Sequence, residues 1–523
     1  MMILSVMQSR FLMVTFVSLI ALSSIQCERG NRRVLSEESK VTILYMGDER
    51  ILGPHWEVPA KFLVFLPLVT YDDKGDLEGR LAESWEHSPD YRTWTFHLRT
   101  DVTWHDGTPV TAEDIKFSLA LFAHPDVLFG STWYYIDSVS VVDDFTLTLT
   151  YTKPMSLDQS WAVYYPKHLL EKLEPKEFYH WEFWTHPVGN GSYRYVRHVP
   201  KTMIELEANP DYYRGKPKIE RVVFKFGGGA PLMELISGNV DVLTYVNPSD
   251  IPKLAADPLF RVYYHQWPNT SWMEAIFWNH LSPFFRDPKV RRALTLAINR
   301  RELLQLLNMP DELPIVDVIF TGRQYRRGEL PKPLPYDPEL AKQLLEEVGW
   351  SDVEGNGVRQ QAGRAFSFSA LVPSGGALEQ AAVYVQDQLR RVGIDMEVQV
   401  LESNLVRKRL RSGNYQAAFD RFFNLLPGHI EWLGESSRLG YHNPRVADLL
   451  KTVNYTADSD EQDRIYRELM FIIRADLPIT FLFPQINTIV AHRRIQGLHS
   501  PYRADPVMNM EHLWLEEDNE SEG

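Results

Sequence analysis

The strongest constraint on the fold lies in residues 366–401, where a strand pattern, a helix pattern and a second strand pattern follow one another without interruption. Phe366, Phe368, Ala370 and Val372 alternate with small polar neighbours, as in a strand with one buried face. Residues 377–392 then carry apolar side chains at helical spacing, and Gly393 stops the helix. Ile394, Met396, Val398 and Val400 resume the alternation. A strand–helix–strand unit of this length implies parallel strands joined by a right-handed crossover. The expected class is therefore α/β.

Neighbouring segments extend the pattern. Asp287-Pro288 and Asp337-Pro338 each place an N-cap acid before a first-turn proline. The helices they open present Val290, Leu294, Ala297 and Ile298, and Leu340, Leu344, Leu345 and Val348; Gly349 closes the second. The first half of the chain is richer in strands. Residues 41–46 (VTILYM) read as a strand buried on both faces. Trp94, Phe96 and Leu98 alternate with polar residues, as do Phe145, Leu147, Leu149 and Tyr151. Between them Thr111 and Asp114 form a capping box ahead of Ile115, Leu119 and Phe122. A β-rich half and an α/β half suggest two lobes around a cleft, where ligands bind and hinges close.

The amino terminus reads as an export signal. Arg10 precedes the apolar run FLMVTFVSLIAL at residues 11–22, too short to span ~30 Å of hydrocarbon as a helix. Met1 and Met7 are alternative starts. Cys27, the single cysteine, follows directly after Ser24-Ile25-Gln26 and resembles a lipidation site, which sets a signal peptide at 1–26. Residues 27–40 suit a tether between anchor and domain, and the acidic tail 516–523 is expected to be disordered. One cysteine excludes a disulfide framework and a Cys-rich metal site. The net charge of −14, with no basic run, argues against nucleic acid.

Reaction chemistry is hard to find. There is no G-x-S-x-G, H-E-x-x-H or phosphate-loop motif. Gly227-Gly228-Gly229 reads as a plain turn. Asp352–Gly357 imitates a calcium loop whose twelfth position is Gly363 rather than Glu. His180 and His186 flank an aromatic cluster without ligand spacing. No catalytic residue, metal or cofactor is expected.

Several blocks resemble the extracellular solute-binding proteins of family 5, the dipeptide/oligopeptide class that feeds ABC importers. Leu81-Ala-Glu-Ser-Trp85, Trp94-Thr-Phe-His-Leu-Arg99, Val102-Thr-Trp-His-Asp-Gly107 and Pro109-Val-Thr-Ala-Glu-Asp114 follow that family's signature in order. Pro187-Val-Gly-Asn-Gly-Ser-Tyr193, Asn209-Pro-Asp-Tyr-Tyr213 with Lys216-Pro217, Asp287-Pro-Lys-Val-Arg-Arg-Ala293 and Gly440-Tyr-His-Asn-Pro444 continue it.

The resemblance implies a two-lobed periplasmic-binding-protein-like fold of type II, with a hinge of two crossing strands. Residues 41–73, 188–279 and 480–515 would form a discontinuous lobe I, 74–187 an added β-rich subdomain, and 280–479 lobe II. It implies capture of a peptide or similar small polar solute, delivery to permease and ATPase subunits, a monomer, and a periplasmic or cell-surface location with a lipid anchor at Cys27. Ser271–Glu274 resembles the family's ligand-pairing edge, which makes Trp272, Met273 and Glu274 candidates. One departure stands out: Phe422 falls where that family has Trp, and Leu425 where its ammonium-binding Asp is expected. Asp420 and Arg421 lie nearby but off register. Arg421 is a candidate grip for a carboxylate or phosphate. Trp56, Trp272, Phe422, Asn424 and Trp432 together suit a sugar cleft, so an oligosaccharide remains open beside a peptide. A secreted hydrolase and a surface sensor or adhesin without a permease are the readings from other classes.

Overall fold

The computed structural model describes residues 39–45, 59–71, 77–127, 135–157, 162–227, 230–244, 246–247, 250–265, 272–311, 313–321, 323–324, 327–424, 426–485, 487–498 and 510–516. Cys27, Trp56, Leu425, the signal, residues 27–38 of the tether and the tail beyond Glu516 lie outside these residues, whereas Lys40, expected in the tether, is already paired with Arg221 in a strand. No described helix is long and apolar enough to cross a membrane.

Three main sheets organise the chain. The first has seven strands in the order Phe260–His265, Asn487–His492, Val242–Leu243, Lys40–Tyr45, Arg221–Phe226, Met203–Ala208 and Tyr193–Val199. Its central strand, Lys40–Tyr45, runs parallel to Arg221–Phe226 and Val242–Leu243, as its two-sided apolar pattern predicts. A four-stranded antiparallel sheet, Ala82–His87, Thr93–Leu98, Thr146–Tyr151 and Ile136–Asp143, is the alternating region of the first half. The helix Ala112–Phe122 follows its capping box, with the Thr111 N–H donating to Asp114 Oδ2 at 2.8 Å. One continuous core joins both sheets, from Val41 through Trp94, Phe96 and Leu149 to Phe224 and Ile489.

The glycines of the 187–193 motif answer a steric demand. A Cβ on Gly189 would lie 1.9 Å from the Val64 carbonyl oxygen, and one on Gly191 2.2 Å from that of Leu63. Asn190 N–H and Gly191 N–H both donate to Val64 O, and Asn190 Oδ1 accepts from Leu66 N at 2.8 Å. The motif clamps the helix Pro59–Val64 against the first sheet.

The third sheet has five strands: Asp395–Leu401, Ser367–Pro373, Ala417–Phe423, Trp272–Trp278 and Ile479–Pro484. Ser367–Pro373 and Asp395–Leu401 pair in parallel around the helix Ala377–Arg390, which realises the predicted crossover. Separate cores cover its two faces, one around Ile276, Trp278 and Phe368, the other around Phe277, Phe422 and Phe481.

The sheets partition the chain differently from the expected boundaries. Trp272–Trp278 and Ile479–Pro484 pair with each other inside the five-stranded sheet, while Phe260–His265 and Asn487–His492 pair inside the seven-stranded one. The chain therefore passes between the two sheets after His265 and before Trp272, and again after Pro484 and before Asn487, rather than at the expected 279/280 and 479/480. Residues 515 and 516 are also paired, through Ile495↔Leu515 and Glu516 N–H to Arg494 O, so the tail begins later than expected.

The buried Arg300–Asp317 pair of the second lobe is fully answered. Arg300 donates to Asp317 Oδ1 at 2.7 Å and to the carbonyls of Val316, Leu334 and Phe481. Asp317 Oδ2 accepts from Leu334 N–H. Removing one partner strands a buried charge, so Asp317→Ala is expected to lower stability by about 3–5 kcal/mol, measured by urea unfolding.

Candidate functional site

The strand Trp272–Trp278 is not a free edge. It lies between Ala417–Phe423 and Ile479–Pro484, and the Trp272 carbonyl accepts from Gln485 N–H at 2.7 Å. Its backbone is thus committed on both sides, which corrects the expectation of a ligand-pairing edge at 271–274. The open edge belongs to its neighbour. Ser367–Pro373 pairs with Ala417–Phe423 only at Ala417 and Ala418, so, among the described residues, 419–423 pair with another strand on the Trp272–Trp278 side alone, while the Arg421 N–H meets the Asp420 carboxylate.

The antiparallel register sets Trp272 opposite Phe423 and Glu274 opposite Arg421. Residues two apart on a strand share a face, so these four side chains form one patch at the end of the sheet. Trp272 is 40% exposed, and its ring lies 4.5 Å from that of Phe423 at 35°. Glu274 is only 6% exposed. Arg421 Nε donates to Glu274 Oε1 at 3.2 Å, while its side chain is about half exposed. Glu274 Oε2 is buried with no hydrogen-bond partner among the described residues. Burial pushes the Glu274 carboxyl up to about 7, against the opposing pull of Arg421, with Asp420 adding repulsion and Arg407 attraction. The folded protein then holds this proton more tightly than the unfolded chain. The group accordingly lowers stability as pH climbs from the ordinary Glu range to about 7.

Asp420 occupies the other face, opposite Ala275. Its carboxyl is also raised, first by burial, despite Arg407 at 3.9 Å on the helix Ser403–Arg411. Four other candidates are held in the interior. Met273 and Phe422 pair across the strands in the core, each at most 1% exposed. Trp432 packs on Phe277 at 4.7 Å and beneath Arg438. Asn424 is buried and both ends of its amide are engaged: Nδ2 donates to Phe320 O at 2.9 Å, and Oδ1 accepts from His429 Nε2 at 2.9 Å. These placements do not give Met273, Phe422, Asn424 and Trp432 the surface that a cleft of exposed rings and amides requires. Trp272 alone among the described tryptophans of that cleft is open.

The Asn424 contact determines the state of His429. With Oδ1 accepting, Nε2 carries the hydrogen, and Nδ1 accepts from Tyr466 OH at 3.0 Å. Burial holds His429 down to about 3, so the ring is neutral. This chain of hydrogen bonds braces the end of the Ala417–Phe423 strand. Sequence reasoning missed Phe423, Arg407 and His429. Only the strand register could have exposed Phe423, as the partner of Trp272.

A second group of residues links the lobes. Tyr91, in the turn between two strands of the four-stranded sheet, donates through its hydroxyl to Asp458 Oδ2 at 2.8 Å. Asp458 caps the helix Ser459–Asp476 of the second lobe. Lys153 Nζ lies 3.5 Å from Asn454 Oδ1 and 3.9 Å from the Tyr135 ring centre. Among the described residues, no three His, Cys, Asp or Glu side chains are grouped to hold a metal ion. The patch offers recognition chemistry, namely a charged pair beside an aromatic shelf, rather than a nucleophile and base.

Comparison with known proteins accords with this geometry. The model of bacterial extracellular solute-binding proteins, family 5, matches residues 76–431. The oligopeptide-binding protein AppA of Bacillus subtilis is 26% identical over 484 residues, covering 86% of this chain and 85% of its own length. Its solved structure, in complex with a nonapeptide, superposes with a TM-score of 0.64 at 22% identity, covering 91% of this chain and 99% of that one. A putative peptide-binding protein AppA from Clostridium difficile gives a TM-score of 0.76 at 20% identity, covering 91% and 100%. With two lobes joined by paired crossings and a family match over most of its length, the chain belongs to the bacterial extracellular solute-binding proteins of family 5, and it binds a solute rather than transforming one.

Proposed function

We propose that this protein is the extracytoplasmic capture component of an ABC importer, closing its two lobes on a peptide or similar small polar solute. The carrying observation is the open edge at residues 419–423, beside the Trp272, Glu274, Arg421 and Phe423 patch. An extended ligand can add there as a further strand, with backbone hydrogen bonds supplying affinity and side chains meeting the patch. The likeness to a relative solved with a nonapeptide supports the same reading. Cys27, after the apolar run, would carry a lipid that keeps the monomer at the outer membrane face near its permease and ATPase partners.

Three results are expected. A ligand at 100 times its dissociation constant adds about 2.7 kcal/mol to stability, so peptide pools should raise the melting temperature. Oligosaccharide pools should leave it unchanged; the reverse pattern would overturn the peptide reading. Cys27→Ser should move the protein from the membrane to the soluble fraction of its host. Tyr91→Phe deletes the hydrogen bond to Asp458 without altering the cleft wall. It should weaken peptide binding by about 0.5–1.5 kcal/mol, with the free protein more open in small-angle scattering.

A further inference from the structure

Glu274 is the one carboxylate oxygen-bearing side chain among the described residues with a buried oxygen lacking a hydrogen-bond partner. Arg421 answers it only in part, through Nε on Oε1. On the other face of the strand, Asp420 is also desolvated, with Arg407 3.9 Å away. On the opposite side of Glu274, Phe483 and Pro484 of the neighbouring strand bring no charge. The groups short of compensation are therefore the acids. Arg421 and Arg407 are each about half exposed and open to water. Two residues along the strand, on the same face as Glu274, Trp272 presents an exposed ring backed by Phe423. A buried acceptor next to an open aromatic face suits a cation, which gains a charge-assisted hydrogen bond and a cation–π contact together.

Building on the peptide reading above, we propose that Glu274 Oε2 and the Trp272 ring form a specificity site for a cationic nitrogen of the solute, an alkylammonium or guanidinium. In the free protein Arg421 partly fills the role of that cation. On binding, the solute donates to Oε2, and the protein releases whatever proton Glu274 holds to solvent. The same chemistry can come from a peptide's α-ammonium or from a lysyl or arginyl side chain. Glu274 would thus take over the task of the ammonium-binding Asp, in whose place this sequence has Leu425.

The test is calorimetric titration of the full mature protein with alanyl-lysyl-alanine, its norleucine analogue and the N-acetylated form of each. Wild type, Glu274→Gln and Arg421→Gln are compared, with agmatine and cadaverine as free-cation probes. Wild type should prefer cationic over neutral peptides by about tenfold or more, the scale of a charge-assisted hydrogen bond. Glu274→Gln should abolish that preference while leaving the acetylated norleucine peptide unaffected. Arg421→Gln, which frees both Glu274 oxygens, should tighten the cationic ligands. Loss on acetylation assigns the α-ammonium; retention in the acetylated lysyl peptide assigns the side chain. Titrations near pH 7 in buffers of different ionisation enthalpy should show about half a proton released in wild type and none in Glu274→Gln. Equal wild-type affinity for all four peptides, or an equal loss for all four in Glu274→Gln, overturns the proposal and leaves the peptide reading standing. Stabilisation of wild type, but not Glu274→Gln, by agmatine or cadaverine without any peptide binding keeps the cation site and removes the peptide reading. Binding of no probe removes both.

Discussion

The second lobe and the hinge both depend on the antiparallel pairing of Trp272–Trp278 with Ile479–Pro484. These strands are about two hundred residues apart in sequence, yet they bring the outgoing and returning chain together at one place. Side chains lock the pair. Trp278 Nε1 donates to Thr480 Oγ1 at 2.9 Å, and Thr480 meets Thr295 at 2.8 Å, which ties in the helix Pro288–Leu296. Arg291 of that helix donates to the carbonyls of Asp476 and Leu477 just before the returning strand. Prising the two strands apart would break backbone and side-chain bonds together. The chain passes from one sheet to the other outside this locked pair, between His265 and Trp272 and between Pro484 and Asn487.

That arrangement also explains the location of the charged patch. Trp272 and Glu274 are the first residues after one crossing, and their partners Phe423 and Arg421 end the neighbouring strand. The patch thus sits at the end of the sheet where the chain enters the second lobe. Below it, packing is complete: Met273 and Phe422 fill the core, and Asn424 with His429 holds the strand end rigid. A rigid support under a partly exposed recognition surface lowers the ordering cost of binding.

Much of the architecture was legible because it is encoded locally. Alternation over 93–98 and 146–151, the Thr111–Asp114 capping box, and the strand–helix–strand unit ending at Leu401 depend on neighbours within a few residues. The clamp glycines were recognised as a motif, although only the structure reveals Val64 as the reason. Pairings between distant segments were not legible. Nothing near residue 272 says that Ile479–Pro484 covers its second side, so a central strand looked like an edge. The same limit misjudged Asn424: a polar residue after an aromatic pair reads as a ligand contact until Phe320 and His429 occupy both ends of its amide. Glu274 was singled out by position alone, and its incomplete pairing depends on a register that no local pattern contains.

The treatment of buried charge separates support from function. Arg300 and Arg291 are as deeply buried as Glu274, yet each spreads its donors over several acceptors, four for Arg300 counting Asp317 Oδ1 and three carbonyls. In the first lobe, Glu511 accepts from Arg80 through both oxygens and from Tyr212, and Arg80 with its hydrogen bonds holds its carboxyl far below the usual range against the cost of burial. This fold can therefore satisfy a buried ion where structure alone is at stake. Glu274 lies in the same well-paired sheet and keeps an oxygen unanswered, with its carboxyl driven upward instead of down. A desolvated carboxylate of this kind destabilises the free protein, and the destabilisation ends when a cation reaches it. The contrast places the uncompensated charge at the end of the sheet where the chain enters the second lobe, the place at which the proposed cation would relieve it.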